Sequence, residues 1–350
     1  MPFKNFLSDI KSQVKDLQKQ GQQFLGQQQQ QQSAPPSQSQ SQPHYQHQQQ
    51  PPHQHQQQQY PAQQYQQSPP LPPSTHPNFQ AQGGPPGQQP LPGQPKVYWQ
   101  PRFDPATPIS QEWEHKLGNN NGWGNNEMQH YTAEASNSFY TPNNLLVLRA
   151  ISSPSHPDPT KKYTSARLVS RQRLGRPSGS LVASLSLPCA GGIWPAFWLL
   201  PYEPFTWPTD GEVDIAETWN GDSINHTCLH WGFYSPEDKA KHRVVGTPVQ
   251  GMQTGRPVRF EFAWHQDRMV WWIDGQAVMK APVPHDMNRP LSDFVVLLNI
   301  AMGGNVCQGQ VPREGMYDFV VHEMKMLEEP EGGWARFERD WAWVREGDMI

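Results

Sequence analysis

The sequence predicts an all-β domain, a sandwich or jelly roll of antiparallel sheets, preceded by a long polar tail. Beyond residue 96, short alternating segments rich in β-branched and aromatic residues are separated by Gly, Pro, Asn and Asp, the pattern of such folds. The first 94 residues consist mainly of Gln, Pro, His and Ser, and all 14 tryptophans lie beyond Tyr98. A segment with so little apolar surface cannot offset the conformational entropy lost on folding, so we expect a disordered tail.

The tail begins with a predicted amphipathic helix over residues 1–26. Its apolar residues recur at steps of three and four, which places them along one helical stripe: Phe3, Leu7, Ile10, Val14, Leu17 and Phe24. Two interpretations stay open, a helix that packs on a partner and a lysine-flanked helix that makes weak contact with a membrane surface. A disordered Gln/Pro/His-rich linker is predicted for residues 27–95.

The predicted globular domain spans residues 96–328. Its ten predicted strand segments are, in order, NLLVLRAI, YTSARLVS, GSLVASLSL, WPAFWLL, GEVDIAET, HTCLHWGFY, VRFEFAWHQ, RMVWWIDGQAV, FVVLLNIAM and MYDFVVHEM. Within RMVWWIDGQAV, the pair Asp274 and Gly275 predicts a two-residue hairpin turn.

Residues 329–350 predict a short C-terminal helical extension. Trp334, Phe337, Trp341 and Val344 step by three, four and three after a Pro/Gly break at residues 330–333. We expect this helix to pack on the outside of the sheets, with its tryptophans buried.

Charge and composition exclude several classes of function. Only four of the 27 basic and two of the 31 acidic side chains lie in the tail, so the remainder carries a net charge of −6 and is a poor nucleic-acid binder. No run of eighteen apolar residues predicts a transmembrane helix. The N-terminal MPFKNFLSDIKSQ carries charges where a signal peptide is apolar, so we expect a cytoplasmic or unconventionally secreted protein.

The segment GEVDIAETWNG, residues 211–221, places three carboxylates within six residues. Glu212 and Asp214 share one face of a strand, whereas Glu217 would normally point to the other. One extra residue around Ile215 and Ala216, a β-bulge, would return Glu217 to the first face. Two Glu side chains that lean inward on one face can bring their carboxyls to about 5 to 6 Å, and retaining glycosidases need a separation of about 5 to 5.5 Å. The alternative is an ordinary solvated acidic strand face.

Aromatic residues around the acids favour the catalytic interpretation. Trp194, Trp207 and Trp219 lie close in sequence, and His230 and Trp231 belong to the strand expected to pair with the acidic one. Flat aromatic faces stack on sugar rings, so we expect these side chains to bind substrate.

Seven motifs together resemble landmarks of glycoside hydrolase family 16, in family order over about residues 96–327. They are GWGNNEMQHYT (122–132), YTSARLVS (163–170), GGIWPAFWLLP (191–201), WPTDGEVDIAE (207–217), HWGFY (230–234), WWIDGQ (271–276) and LLNIAMGGN (297–305). The six-residue acidic motif resembles the laminarinase branch.

The resemblance implies a β-jelly roll whose concave sheet forms a cleft for β-1,3-glucan or mixed β-1,3/1,4-glucan. It implies that Glu212 is the nucleophile, Asp214 its electrostatic assistant and Glu217 the general acid/base. It also associates a set of cleft residues with sugar binding: Asn125, Arg167, Trp194, Trp207, Trp219, His230 and Asn299.

Neither a cofactor nor a metal is expected. His226, Cys228 and His230 alternate on one strand face, but no fourth zinc ligand is evident in the sequence. Cys189, Cys228 and Cys307 cannot all pair, and we expect reduced thiols. The leading hypothesis is a monomeric endo-glycosidase acting on β-glucan. The alternatives are a glucan transglycosylase, a non-catalytic glucan-binding module, and a scaffold role for the Gln-rich tail.

Overall fold

The computed structural model describes residues 95–232 and 241–349. The helix predicted for residues 1–26 and, apart from Pro95, the linker predicted for residues 27–95 lie outside the described residues. Eighteen strands in the described part form two sheets of ten and eight strands, and nearly all pairs are antiparallel. The predicted all-β jelly-roll class is confirmed. No helix in these described ranges is long and apolar enough to cross a membrane.

The larger sheet contains ten strands. They are β1 (Val97–Trp99), β3 (His130–Tyr131), β4 (Ser138–Tyr140), β5 (Leu146–Ser152), β6 (Tyr163–Ser165), β8 (Ser178–Ser186), β13 (Val258–His265), β14 (Arg268–Ile273), β15 (Gln276–Pro282) and β17 (Gly315–Leu327). Their order is β15-β14-β13-β8-β17-β5-β6-β3, with β1 paired to β17 and β4 to β5. The β3–β6 pair is parallel.

The smaller sheet contains eight strands. They are β2 (Trp113–Lys116), β7 (Arg167–Arg173), β9 (Ile193–Pro201), β10 (Glu212–Glu217), β11 (Ile224–Trp231), β12 (Lys241–Pro248), β16 (Phe294–Met302) and β18 (Asp348–Met349). Their order is β18-β12-β11-β10-β9-β16-β7-β2. The acidic strand β10 therefore lies near the middle of the sheet, between β9 and β11, where pairing on both sides holds its register.

The inner faces of the two sheets form one continuous apolar core. Alternate residues supply it, such as Phe260 and Phe262 from β13 and Phe197 and Leu199 from β9, all fully buried. Burial of one such side chain stabilises the fold by about 1.5–3 kcal/mol. Because one face of each strand in the smaller sheet packs in this core, the opposite face is the one available to a ligand.

Two sequence-predicted segments turn out to divide between strands. The YTSARLVS segment changes sheets at Ala166, because β6 belongs to the larger sheet and β7 to the smaller one. The RMVWWIDGQAV segment forms the predicted hairpin of β14 and β15. Asp274 and Gly275 have φ of 47° and 79°, the left-handed backbone that a tight two-residue turn requires.

The predicted C-terminal helix is present as α1 (Gly333–Trp343) and packs on the outside of the larger sheet. Phe337 is fully buried against Trp272 of β14, with Trp334 and Trp341 packed around it. The Trp272 indole N–H donates to Asp340 at 2.8 Å. The aromatic stripe of this helix therefore contributes to packing on the sheet, as the sequence indicates.

Candidate active site

A β-bulge in β10 brings three carboxylates to one face of the smaller sheet. Asp214 pairs with Trp198 and Ala216 pairs with Phe197, so Ile215 is the extra residue in β10. Ile215 and Ala216 are adjacent, yet both belong to the core. The alternation is thus reset by one residue, and Glu212, Asp214 and Glu217 all lie on the face turned away from the core.

Asn225 of β11 satisfies the backbone groups that the bulge leaves without a strand partner. Its side-chain oxygen accepts from the Glu217 N–H at 3.1 Å, and its amide donates to the Ile215 carbonyl at 3.1 Å. The same amide donates to Thr227 Oγ1 at 3.0 Å. Asn225 is fully buried, so these bonds are shielded from water and fix where Glu217 leaves the strand.

Indole N–H groups hold the two glutamates. Trp207 donates to Glu212 Oε2 at 2.6 Å, and Trp194 donates to Glu217 Oε1 at 2.5 Å. His230 of β11 lies opposite Glu212 in the strand register. Its Nε2 is 3.1 Å from Asp214 Oδ2 and 4.0 Å from Glu212 Oε1.

Burial raises the pKa of all three carboxyls. It raises the pKa of Glu212 to about 7, with a further rise from the Asp214 charge and an opposing effect of His230 and the Trp207 N–H. Burial raises the pKa of Asp214 to about 8. The pKa of Glu217 is held well above its usual range by burial and then by Asp214, against the Trp194 N–H. Around neutral pH the group thus retains protons, and Glu217 is the strongest candidate for a proton donor.

Arg167 lies between two aromatic rings beside the acids. Its guanidinium is 4.6 Å from the Trp123 ring centre and 4.8 Å from the Trp198 ring centre. Trp198 also donates to Asn299 Oδ1 at 2.7 Å. Arg167 and Trp123 line a surface depression over β2, β7, β9 and β16, together with Lys116, Val169, Leu200 and Tyr202. Stacked cations and indoles of this kind present rigid flat surfaces to a ligand.

Asn125 contacts a buried acid that the sequence did not single out. Its amide donates to Glu127 Oε1 at 3.3 Å, and Gln129 donates to Glu127 Oε2 at 2.5 Å. Burial raises the pKa of Glu127 to about 7, with the Arg167 charge opposing. Trp123, Trp198 and Glu127 were absent from the predicted substrate-binding set, although the first and third stand within the GWGNNEMQHYT motif.

The remaining predicted residues are Trp219, whose side chain lies beside Glu217, and Trp231. Trp219 is half-buried and stacks on His226, with ring centres 3.6 Å apart. Trp231 does not face the acids, and its prediction as a substrate-binding residue is wrong. It is 5% exposed and part of the core, because it is the neighbour of the outward-facing His230 and side chains alternate along a strand.

The His226, Cys228 and His230 trio does not converge on one point. His226 is fully buried, and its Nε2 lies 2.7 Å from Asp222 Oδ2. In contrast, the ligand atoms of Asp214, Cys228 and His230 all lie within 4.8 Å of one another.

A family model described as the XgeA-like, catalytic domain of glycoside hydrolase family 16 matches residues 113–255. Among curated proteins, the chain is 28% identical over 240 residues to glucan endo-1,3-beta-glucosidase A1 of Niallia circulans. That match covers 62% of this chain and 35% of the relative, so the chain spans about a third of that protein's length. A beta-glucanase of Rhodothermus marinus is 29% identical over 230 residues, covering 60% of this chain and 76% of the relative.

Solved structures show the same fold. A LamA variant from Z. galactanivorans, in complex with laminaritriose and laminaritetraose, has a TM-score of 0.57 and 27% identity. It covers 67% of this chain and 99% of that chain. The laminarinase from Rhodothermus marinus has a TM-score of 0.56 and 26% identity, covering 67% and 97%. Family model, relatives and solved structures agree: the chain is similar to the catalytic domain of glycoside hydrolase family 16 and to laminarinases.

Proposed function

We propose that this protein is an endo-β-glucanase that hydrolyses β-1,3-glucan or mixed β-1,3/1,4-glucan with retention of configuration. The observation that carries the proposal is the bulge at Ile215, which aligns Glu212, Asp214 and Glu217 on the outer face of β10. The relatives named as β-glucanases support the substrate class.

In the proposed reaction, the ionised Glu212 attacks the anomeric carbon and forms a glycosyl ester as the bond to the leaving oxygen breaks. Glu217 gives its proton to that oxygen. Glu217 then takes a proton from a water molecule, the resulting hydroxide attacks the same carbon from the opposite side, and Glu212 is released. The two inversions at the anomeric carbon give net retention.

The environments of the two glutamates support these roles. Glu212 is the more accessible, with 17% of its side chain exposed, and both Trp207 and His230 favour its ionised form. Glu217 is 8% exposed and lies beside the Asp214 charge, which favours its protonated form. A nucleophile must be ionised and a general acid must carry a proton. Asp214 raises the pKa of both glutamates, so the difference between them comes from His230 beside Glu212.

Substitution of each glutamate, with azide as an external nucleophile, tests the assignment. Glu212→Ala should lose release of reducing ends from laminarin, and azide should restore cleavage of a fluoride donor to give the α-glycosyl azide. Glu217→Ala should retain activity on a substrate with a good leaving group and give the β-glycosyl azide. Glu328→Gln, on the loop after β17 and paired with Lys96, is the control. Undiminished hydrolysis of laminarin by Glu212→Ala would exclude the proposal.

Transglycosylation and glucan binding without turnover are separated from hydrolysis by the products. Hydrolysis gives only oligosaccharides shorter than the substrate, in which NMR initially detects the β-anomer. Transglycosylation gives products longer than the starting oligosaccharide, and a binding module gives none. The three carboxylates, all present on one face, favour turnover.

A further inference from the structure

Asp214, Cys228 and His230 form a compact group of three different metal-ligating side chains. Asp214 of β10 is directly opposite Cys228 of β11 in the strand register, and His230 lies two residues further along β11. All three therefore lie on the outer face of the sheet, and their ligand atoms are within 4.8 Å of one another. Cys228 is buried but belongs to none of the apolar clusters in the described part of the chain.

The separations are close to those of a tetrahedral zinc site. Ligand oxygen and nitrogen atoms about 2.0 Å from Zn²⁺ are about 3.3 Å from each other, and a thiolate sulfur is about 3.6 Å from either. Asp214 Oδ2 and His230 Nε2 are already 3.1 Å apart. The remaining pairs have to close by at most about 1.2 Å, a movement that side-chain rotation supplies.

Asp214 Oδ2 and His230 Nε2 lie close to each other but form no hydrogen bond. Asp214 is 4% exposed, and its Oδ2 accepts no hydrogen bond from any residue that the structure describes, although His230 Nε2 is nearby. On its other side, His230 makes an Nδ1 contact with Nδ1 of His242. A hydrogen bond at Nδ1 fixes the orientation of the ring, the role of an outer partner behind a metal-binding histidine.

We propose that Asp214, Cys228 and His230 bind a thiophilic divalent cation such as Zn²⁺, which inhibits the enzyme. The thiol loses its proton to solvent as the sulfur–metal bond forms, and the cation is held by one carboxylate, one thiolate and one imidazole. A cation bound to Asp214 and His230 removes the effect of both on Glu212 and the effect of Asp214 on Glu217, so the protonation of the two glutamates changes. The fourth position of the cation is left to water or to Glu212.

Binding of the cation is expected to strengthen as pH rises. The sulfur binds the cation as a thiolate, so the cation displaces the thiol proton. The titratable groups that face this point are the three carboxyls of β10, with His230 of β11 and His242 of β12 behind it.

The test uses the full chain and a thiolate-specific signal, because histidines elsewhere in the chain also bind metal ions. Co²⁺ replaces Zn²⁺ in such sites, and a coordinated thiolate gives a sulfur-to-cobalt charge-transfer absorption. We expect that absorption in the unmodified protein and in Cys189→Ser and Cys307→Ser, and its loss in Cys228→Ser and Cys228→Ala. Absence of the absorption from the unmodified protein would overturn the proposal, whatever the variants show.

Inhibition is the second measurement. The Zn²⁺ concentration that halves laminarin hydrolysis should rise more than about tenfold in Cys228→Ser, relative to that variant's own activity without metal. The same concentrations of Mg²⁺, which prefers oxygen ligands, should not inhibit. Equal inhibition of all three cysteine variants by Zn²⁺ would place the metal elsewhere. The cobalt absorption does not depend on turnover, so failure of the proposed glucanase activity would leave it interpretable.

Discussion

Replacement of Asn225 by Ala tests whether a buried amide fixes the catalytic geometry. The substitution removes the acceptor for the Glu217 N–H and the donor to the Ile215 carbonyl, while both backbone groups stay at the bulge. A buried backbone group without a partner costs about 1–3 kcal/mol, so the free energy of unfolding should fall by about 4 kcal/mol. Urea unfolding monitored by tryptophan fluorescence measures this loss.

The same substitution should reduce kcat more than it changes KM. Glu217 follows the bulge directly, and a displacement of about 1 Å in a catalytic group can cost roughly 100-fold in rate. The aromatic residues that we expect to bind sugar are untouched, so KM for laminarin should change less than threefold. Activity is measured well below the unfolding temperature, with the folded fraction determined by circular dichroism.

Thr227→Val is the matched control. It removes one of the three hydrogen-bond partners of Asn225 but leaves both bonds to the bulge, so it should cost about 1 kcal/mol of stability and reduce kcat much less than Asn225→Ala does. If Asn225→Ala lost stability as expected but kept the kcat of the unmodified enzyme, the bulge would hold Glu217 in place without this amide. Asn225 would then have no part in positioning Glu217.

Three further outcomes follow from the acids and the C-terminal helix. Trp194→Phe removes the N–H that favours ionised Glu217, so the alkaline limb of the kcat/KM profile should move to higher pH; an unchanged limb would contradict that role. The raised pKa of Glu212 means that its contribution to stability is complete at pH 4 and lost by pH 8. Glu212→Gln should therefore match the unmodified protein at pH 4 and be about 3 kcal/mol more stable at pH 8 in thermal unfolding. Arg336→Met leaves the buried Glu261 without its 2.6 Å partner and should lower stability by about 3 kcal/mol with kcat unchanged.

The local parts of the site could be predicted because they depend on neighbours in sequence. Glu212, Asp214 and Glu217 lie within six residues, and period-two alternation shows at once that they need a bulge to share a face. The structure has that bulge at Ile215. The same alternation should have excluded Trp231, because it puts the residue after an outward-facing His230 in the core.

The parts that could not be predicted depend on which strands are neighbours. Asn225 and Cys228 belong to β11 but lie against residues of β10. Their place in the site can be recognised only from the register of the two strands, in which Asp214 pairs with Cys228. The possible zinc ligands in the sequence, His226, Cys228 and His230, lie along one strand. In the structure, Cys228 and His230 lie close to Asp214 of the adjacent strand instead. The division of YTSARLVS between two sheets likewise depends on packing, since both halves carry the same strand pattern.

The three carboxylates of β10 lie close together, and differences in their surroundings give them different proton affinities. Burial raises the pKa of each, so burial alone assigns no roles. The difference comes from what each glutamate contacts. Both glutamates accept from an indole N–H and both are repelled by Asp214, but Glu212 in addition has His230 within 4.0 Å. When the three carboxyls carry a single negative charge, that charge is therefore most stable on Glu212. Glu217 then keeps its proton. Strand β10 places two identical side chains on one face, and their different neighbours fit the proposed roles of nucleophile for Glu212 and acid for Glu217.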